Sequence, residues 1–199
     1  MSASIGELRR ALADSPASAG AHARLGTALL RAGATREAER ELRAAVDLDP
    51  ACVGAWVNLG GILLARWEFA AAVEANRRAA AVDPTLASAH FNQAVGHLHL
   101  GQPEQAVECL ARVVELEPRH GAAYHHLAIA LHALGRAGEA RLSAAYSVEL
   151  GYRPGPLSAE ALERAAAAAR GAGDQSTMPQ SEVSPSPRKE PDHGTAEGG

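Results

Sequence analysis

Apolar residues recur along most of this chain at the spacing of helices that bury one face. From residue 19 to residue 152 the sequence consists of segments of about 13 residues in which apolar side chains lie three and four positions apart. That interval brings side chains to one face of an α-helix, whereas a half-buried strand needs strict alternation. The pattern therefore predicts an all-α chain of amphipathic helices joined by short turns.

Prolines reveal a fixed period in this part of the chain. Pro16, Pro50, Pro84 and Pro118 are each separated by 34 residues, and the last three end the similar phrases AVDLDP, AAVDP and VELEP. A fixed period of this length is typical of repeat proteins, in which each two-helix unit packs on its neighbours. We therefore predict four repeats, at residues 19–52, 53–86, 87–120 and 121–152.

Small residues recur at two positions of every repeat. The eighth position has Gly26, Gly60, Ala94 and Ala128, and the twentieth has Ala38, Ala72, Ala106 and Ala140. Small side chains there let the two helices of a repeat cross closely. Glycine follows the first helix in three repeats, at Gly33, Gly101 and Gly135, where it suits a left-handed turn, but the second repeat has Trp67.

Together with a large residue at the fourth position, these features resemble the tetratricopeptide repeat family over residues 19–152. The resemblance implies a right-handed α-solenoid of helix–turn–helix units. Residues 1–18 match the second half of an earlier repeat, and residues 153–170 predict a capping helix with Ser158 as its N-cap. Residues 171–199 are predicted to be disordered, because they are rich in Ser, Pro, Gly and acidic residues and have no aromatic residue.

The resemblance also implies that function lies on the concave surface, which in this family is formed mainly by the first helix of each repeat. The expected groove residues are Arg24, Thr27, Arg31, Val57, Asn58, Phe91, Asn92, Val95, His99, His125, His126 and Ile129. An asparagine amide can both donate to and accept from the backbone of an extended peptide, and the apolar members favour an apolar segment or an amphipathic helix. The paired cations with which chaperone-binding members of the family hold an acidic C-terminus are absent around Asn58, which disfavours that ligand.

Charge and composition narrow the possible partners and compartment. The chain has 19 Lys and Arg against 23 Asp and Glu, a net charge of −4, and its basic residues are dispersed, so we expect no nucleic-acid partner. No apolar run is long enough to span a membrane, and no secretory signal is recognisable, which predicts a cytoplasmic protein. Cys52 and Cys109 are too far apart in sequence to suggest a zinc motif.

Sequence motifs for catalysis or cofactor binding are absent, so the predicted function is non-enzymatic, with no cofactor and no metal. Seven of the nine histidines lie between His90 and His132. One interpretation brings His99, His125 and His132 together as a metal or pH-sensing site, which would lose its partner as the pH falls from about 7 to about 5.5. The other is a groove lined with hydrogen-bonding imidazoles, with His90 packed in the core.

Two departures from the repeat pattern yield structural predictions. Gln93 and Asn76 occupy positions that are normally apolar, on helices that should pack together. An unpaired buried amide costs about 1–3 kcal/mol, so we expect each amide to bond the other or nearby backbone. Trp67 and Phe69 either form an outer contact patch or fold back on their own hairpin.

Three functions agree with these observations. The first is a protein–protein interaction module or scaffold that binds a peptide or helix of a partner protein in its groove. The second is a self-assembling scaffold, in which the half-repeat at residues 1–18 leaves a repeat end for another copy. The third is the recognition or regulatory subunit of a separate enzyme such as a glycosyltransferase.

Overall fold

A computed structural model describes residues 3–153, and within that range the chain forms nine α-helices and no strand. The helices are α1 (Ile5–Asp14), α2 (Ala19–Arg31), α3 (Thr35–Leu48), α4 (Val53–Ala65), α5 (Phe69–Val82), α6 (Ala87–His99), α7 (Pro103–Leu116), α8 (Gly121–Ala133) and α9 (Ala137–Glu149). The predicted all-α class is confirmed. Apart from Arg153, the predicted capping helix and the predicted disordered tail lie outside the described residues.

The helices form pairs that stack in chain order, as a solenoid requires. Each helix contacts the next one along the chain. In addition α2 contacts α4, α4 contacts α6, and α6 contacts α8, so the first helices of the four repeats lie side by side. A continuous surface made of first helices is the inner surface of the solenoid, and the predicted groove residues all belong to these helices.

The N-terminal helix covers the end of the stack. In α1, Ser4 and Glu7 form a reciprocal cap: the Glu7 N–H donates to Ser4 Oγ at 3.3 Å, and the Ser4 N–H donates to Glu7 Oε2 at 2.7 Å. Leu8 is buried in one cluster with Leu25 and Leu29 of α2. This helix therefore buries apolar surface of the first repeat that would otherwise face solvent.

Small residues allow the close helix crossings that the sequence predicts. Ala38 and Ala72 are fully buried, and a Cβ added to Gly26 would lie 2.7 Å from Leu42 Cγ. At Gly60 an added Cβ would overlap the side-chain amide of Asn76. The absence of a side chain at the eighth position of these two repeats is thus what makes room for the second helix.

The turns inside the repeats share one backbone geometry. The residue after the C-cap of the first helix has positive φ in all four repeats: 77° at Gly33, 64° at Trp67, 68° at Gly101 and 73° at Gly135. The next N–H donates to a carbonyl five residues earlier in each case, for example Glu68 to Leu63 at 2.9 Å. Trp67 adopts the conformation that suits glycine, so its backbone is strained where the other three are not.

The fourth position of a repeat ties it to the turn before it. In three repeats a ring N–H donates to the proline carbonyl six residues earlier. The pairs are His22 with Pro16 at 3.0 Å, Trp56 with Pro50 at 2.8 Å, and His90 with Pro84 at 3.1 Å. Histidine and tryptophan are equivalent here because each offers a ring N–H on an apolar body. The hydrogen bond predicted for His90 is present, but His90 is half-buried and does not lie in the core.

The two buried amides find partners, as predicted. Asn76, which is 0% exposed, donates to the Ala72 carbonyl at 2.8 Å. Gln93 donates to the backbone carbonyls of Asn76 and Ala89, both at 3.4 Å. Polar residues are therefore accommodated between α5 and α6 without an unsatisfied amide nitrogen.

Candidate functional site

The predicted groove residues lie on the four first helices, but they differ in how far they reach the surface. Arg24, Arg31 and His99 are exposed, and His125 is buried. The remaining members are half-buried: Thr27, Val57, Asn58, Phe91, Asn92, Val95, His126 and Ile129. Eleven of the twelve predicted residues are thus accessible to a ligand on the inner surface.

Asn58 is held in place by the repeat before it. Its Nδ2 donates to Thr27 Oγ1 at 2.9 Å, and Thr27 Oγ1 donates in turn to the Ala23 carbonyl at 2.8 Å. Within residues 3–153 the Oδ1 atom of Asn58 accepts no hydrogen bond. The amide is therefore pre-oriented, with an acceptor and a second N–H available to a ligand.

Asn92 is anchored to the polar cluster between α5 and α6. Its Nδ2 donates to Asn76 Oδ1 at 3.2 Å, which makes the groove asparagine the surface member of a network that continues inward through Asn76. The sequence placed Asn92 in the groove and Asn76 in the core but did not connect them. A substitution at Asn92 will consequently disturb both the surface and the core.

Phe91 lies between two imidazoles in the third and fourth repeats. Its ring centroid is 5.0 Å from that of His120 and 5.2 Å from that of His126. His126 Nδ1 donates to the Ala122 carbonyl at 2.8 Å. Burial lowers the pKa of His126, with the Ala122 hydrogen bond opposing that effect, which disfavours a positive charge on His126 beside Phe91.

His120 is the member of this cluster that sequence reasoning missed. It is the N-cap of α8, where its Nδ1 accepts from the Ala123 N–H at 3.0 Å. It lies at the last position of a repeat, outside the first helix, and the groove positions of the family therefore do not include it. The sequence could have indicated its role, because His120 comes directly before the helix that carries His125 and His126.

His125 corrects the sequence prediction, because its side chain is only 2% exposed and cannot line an open groove. Its ring packs 5.3 Å from Tyr152 and 5.3 Å from His126, and its Nδ1 has no hydrogen-bond partner within residues 3–153. Burial lowers the pKa of His125 to about 4, with a smaller contribution from His126. His125 is thus a neutral core residue.

The histidines do not assemble as the metal interpretation requires. In residues 3–153 no three His, Cys, Asp or Glu side chains converge in a way that could hold a metal ion. His125 is buried whereas His132 is exposed, and the ring of His99 stacks on Phe69 at 4.3 Å instead. The interpretation that brings His99, His125 and His132 together as a metal site is therefore wrong.

An exposed aromatic group lies where the second repeat meets the third. Trp67 is 74% exposed, and its ring meets Phe69 at 5.8 Å and His99 at 5.9 Å, both edge to face. Phe69 and His99 are stacked on each other, within 3° of parallel. Phe69 thus packs on the neighbouring repeat, while most of Trp67 remains available for contact.

The middle of the groove is wide because two glycines leave it empty. A Cβ added to Gly54 or Gly61 would meet no atom within 4 Å, apart from the helix's own backbone and chain neighbours. Val57 and Asn58 project from the same helix between them. Larger side chains would fit at either glycine without disturbing the fold, so the open space is not required by packing.

Taken together, paired helices, close crossings at small residues and an inner surface of first helices define an α-solenoid built from two-helix repeats. The family model for the tetratricopeptide repeat matches residues 23–87 and 91–156. The chain belongs to the tetratricopeptide repeat family.

Solved structures of similar fold support this assignment. The crystal structure of YrrB, described as a tetratricopeptide repeat protein with an unusual peptide-binding site, has a TM-score of 0.75 at 17% identity, covering 87% of each chain. The crystal structure of MamA has a TM-score of 0.68 at 23% identity over 74% of this chain and 86% of that one. PilF of Pseudomonas aeruginosa has a TM-score of 0.66 at 22% identity over 85% and 81%. At these low identities, the TM-scores establish a shared fold and nothing about function.

No curated protein matches the sequence. In the part of the chain that the structure describes, no helix combines the length and apolar character needed to cross a membrane.

Proposed function

We propose that this protein is a non-enzymatic interaction module that binds an extended or helical segment of a partner protein in its inner groove. The observation that carries the proposal is the combination, on one surface, of accessible apolar side chains with pre-oriented amides. Val57, Phe91 and Val95 are half-buried, and Asn58 is fixed by Thr27 with its Oδ1 unused within residues 3–153. Apolar side chains of a ligand would pack on the former, while its backbone would bond the amides.

The comparisons agree with this class of function. The family consists generally of protein-interaction modules, and YrrB is described as having a peptide-binding site. An added Cβ at Gly61 would meet nothing within 4 Å, so a peptide backbone could approach the first helix at this position. The cytoplasmic compartment stays a prediction, as does a role as the recognition subunit of a separate enzyme.

Filling the groove tests the proposal without damaging the core. In Gly61→Trp an indole would occupy the open middle of the inner surface, where an added Cβ meets nothing within 4 Å. Gly138→Trp is the matched control, because Gly138 is also helical and equally unobstructed but lies on α9, a second helix. Replacing a helical glycine removes its entropic cost, so neither variant should lose stability.

Affinity capture from native lysate then compares wild type, Gly61→Trp and Gly138→Trp, with light scattering to confirm mass and folding. We expect a discrete protein that wild type and Gly138→Trp retain and that Gly61→Trp loses. If all three retain the same proteins, the inner groove is not the binding site.

Self-association is a second candidate, and a specific observation favours it. Within residues 3–153, the end of the stack formed by α9 carries exposed apolar side chains, at Leu142, which is 72% exposed, and at Val148, which is 66% exposed. A dimer through this end would give twice the monomer mass by light scattering. Leu142→Arg would return the mass to that of a monomer, whereas a mass unchanged by that substitution would exclude this end.

A further inference from the structure

The four first helices of the repeats carry no carboxylates, although the protein is acidic overall. The chain has a net charge of −4, yet no Asp or Glu occurs anywhere in the four first helices α2, α4, α6 and α8. The acidic residues of the repeats lie on the second helices and in the turns. The first helices pack on one another as well as on the second helices, so their packing contributes to this division of charge, and the informative charges are the exposed ones that the first helices do carry.

The only fixed charges on the first helices are positive and lie at one end. Arg24 and Arg31 are seven residues apart on α2, which brings them to the same face of the helix. Both are exposed, and within residues 3–153 neither forms an ion pair. Other arginines of this region are paired, as Arg9 is with Glu37 at 2.6 Å and Arg66 with Glu39 at 2.7 Å.

The surroundings of these arginines form a site with an apolar floor. Arg24 and Arg31 line an open depression with Thr27, Ala28 and Leu8. Thr27 connects this depression to the middle of the groove through its hydrogen bond from Asn58. A chain that crosses the two arginines would therefore continue onto Val57 and Phe91.

We propose that the groove takes a segment of a partner protein in which acidic side chains lie next to apolar ones, the acidic side chains lying over Arg24 and Arg31. This inference rests on the proposed function and specifies the chemistry of the partner. Charge complementarity selects it: a carboxylate would meet two guanidinium groups and no acidic side chain on the first helices. The ligand uses side-chain carboxylates over the first repeat, which differs from the C-terminal carboxylate that the sequence disfavours at Asn58.

Selection from a random peptide library displayed on phage tests this directly, with wild-type protein as bait. Enriched peptides are then synthesised in two forms, one as selected and one with every Glu and Asp replaced by Gln and Asn. We expect enrichment of peptides in which acidic residues adjoin apolar ones, and weaker binding of the neutral form. Binding of the acidic form should also weaken as salt is raised, because exposed charges are screened.

A double variant of the two arginines assigns the effect to the first repeat. Arg24→Ala/Arg31→Ala should weaken the acidic peptide about five- to tenfold, since two exposed ion pairs contribute about 1 kcal/mol or slightly more together. The matched control is Arg36→Ala/Arg40→Ala, which removes the same charge from exposed, unpaired positions on α3 of the same repeat. It should leave the affinity within about twofold of wild type.

The outcomes separate this inference from the proposed function. If enriched peptides are blocked by Gly61→Trp but are not acidic, or are insensitive to Arg24→Ala/Arg31→Ala, the groove binds peptides and the acidic specificity is wrong. If Gly61→Trp blocks no peptide, both proposals fail. The last outcome concerns residues 171–199, which carry five acidic residues against two basic ones. If the library gives no enriched peptide, and a synthetic peptide copied from residues 171–199 binds the groove, the occupant is this chain's own segment and the partner proposal is overturned.

Discussion

The first and second repeats have the same backbone and solve the same packing problems with different side chains. Where the first repeat places Leu42 over Gly26, the second places the amide of Asn76 over Gly60. The turn after the first helix has Gly33 in one and Trp67 in the other, with φ of 77° and 64°. The backbone thus fixes the space and the torsion angle at each position, but not the chemistry that fills it.

The same comparison separates structure from function on the inner surface. At the fifth and sixth positions the first repeat has Ala23 and Arg24, and the second has Val57 and Asn58. The polar members of these pairs are not needed to close the core, since Arg24 is exposed and the Asn58 amide reaches the surface. Differences at packed positions therefore predict stability effects, whereas differences on the inner surface predict binding effects.

The largest expected effect comes from adding one methyl group at Gly60. Gly60→Ala would drive a Cβ into the amide of Asn76, which is fully buried and bonded to Ala72 and Asn92. Overpacking and a displaced buried amide together should lower the free energy of unfolding by about 4 kcal/mol. The matched change Gly26→Ala would place a Cβ 2.7 Å from Leu42 Cγ and 3.1 Å from the Ala38 carbonyl oxygen, displaces no buried amide, and should cost about 2 kcal/mol.

Urea unfolding measures this difference directly. Both variants should keep the wild-type m-value while their midpoints fall by clearly different amounts. Equal losses at Gly60 and Gly26 would mean that the polar contact between α4 and α5 is no more rigid than the apolar one between α2 and α3.

A pH titration extends the comparison to the fourth repeat, which has the buried His125 where the first two have Ala23 and Val57. Burial lowers the pKa of His125 to about 4 in the folded protein, below the ordinary 6.5. Between these values the unfolded chain binds more protons, so stability falls as the pH falls. The loss should approach about 3 kcal/mol near pH 4.

His125→Phe removes this dependence of stability on pH, since phenylalanine has no titratable group. Phenylalanine already occupies the fifth position of the third repeat, as Phe91. The difference in unfolding free energy between wild type and His125→Phe should grow steadily from neutral pH to about pH 4. A difference that stays constant over that range would show that His125 is protonated as easily in the folded protein as in the unfolded chain.

The smallest expected effect concerns the strained turn of the second repeat. Trp67→Gly relieves a positive φ that costs a non-glycine residue about 1–2 kcal/mol, but it loses the edge contacts with Phe69 and His99. We expect a net change of less than about 1 kcal/mol. In the reverse exchange, Gly33→Trp should destabilise by about 1 kcal/mol, as its surroundings offer no aromatic partner within 4 Å of an added Cβ.

Thermal melts of these two variants sharpen the comparison between the repeats. If Trp67→Gly were strongly destabilising, the indole would be a structural part of the contact with Phe69 and His99. A nearly silent change leaves its 74% exposed ring without a structural explanation and marks this edge of the groove for binding studies.

Much of this fold could be predicted from the sequence because the same structural positions recur in four repeats. The period of the prolines, the small residues at Gly26 and Ala38, and the turn glycines each appear in several copies, so one exception such as Trp67 does not hide the pattern. The pairing of Asn76 and Gln93 with nearby groups was predictable because a buried amide without a partner is costly.

The groove was predictable only in part, because its details depend on contacts between different repeats. The bond from Asn58 to Thr27 spans 31 residues, and the one from Asn92 to Asn76 spans 16. His125 was assigned to the groove from its position in the repeat, but its ring packs against Tyr152, a contact that repeat periodicity does not encode. His120 was missed because it lies outside the first helix.

The most direct test of the inner groove as the binding site is photo-crosslinking from matched positions on its two faces. The photoreactive amino acid p-benzoylphenylalanine replaces Val95, half-buried on the inner helix α6, or Gln105, exposed on the second helix α7 of the same repeat. Irradiation in native lysate should yield a discrete crosslinked partner from position 95 and none from position 105. A partner crosslinked from position 105 alone would place binding on the outer face and contradict a function in the groove.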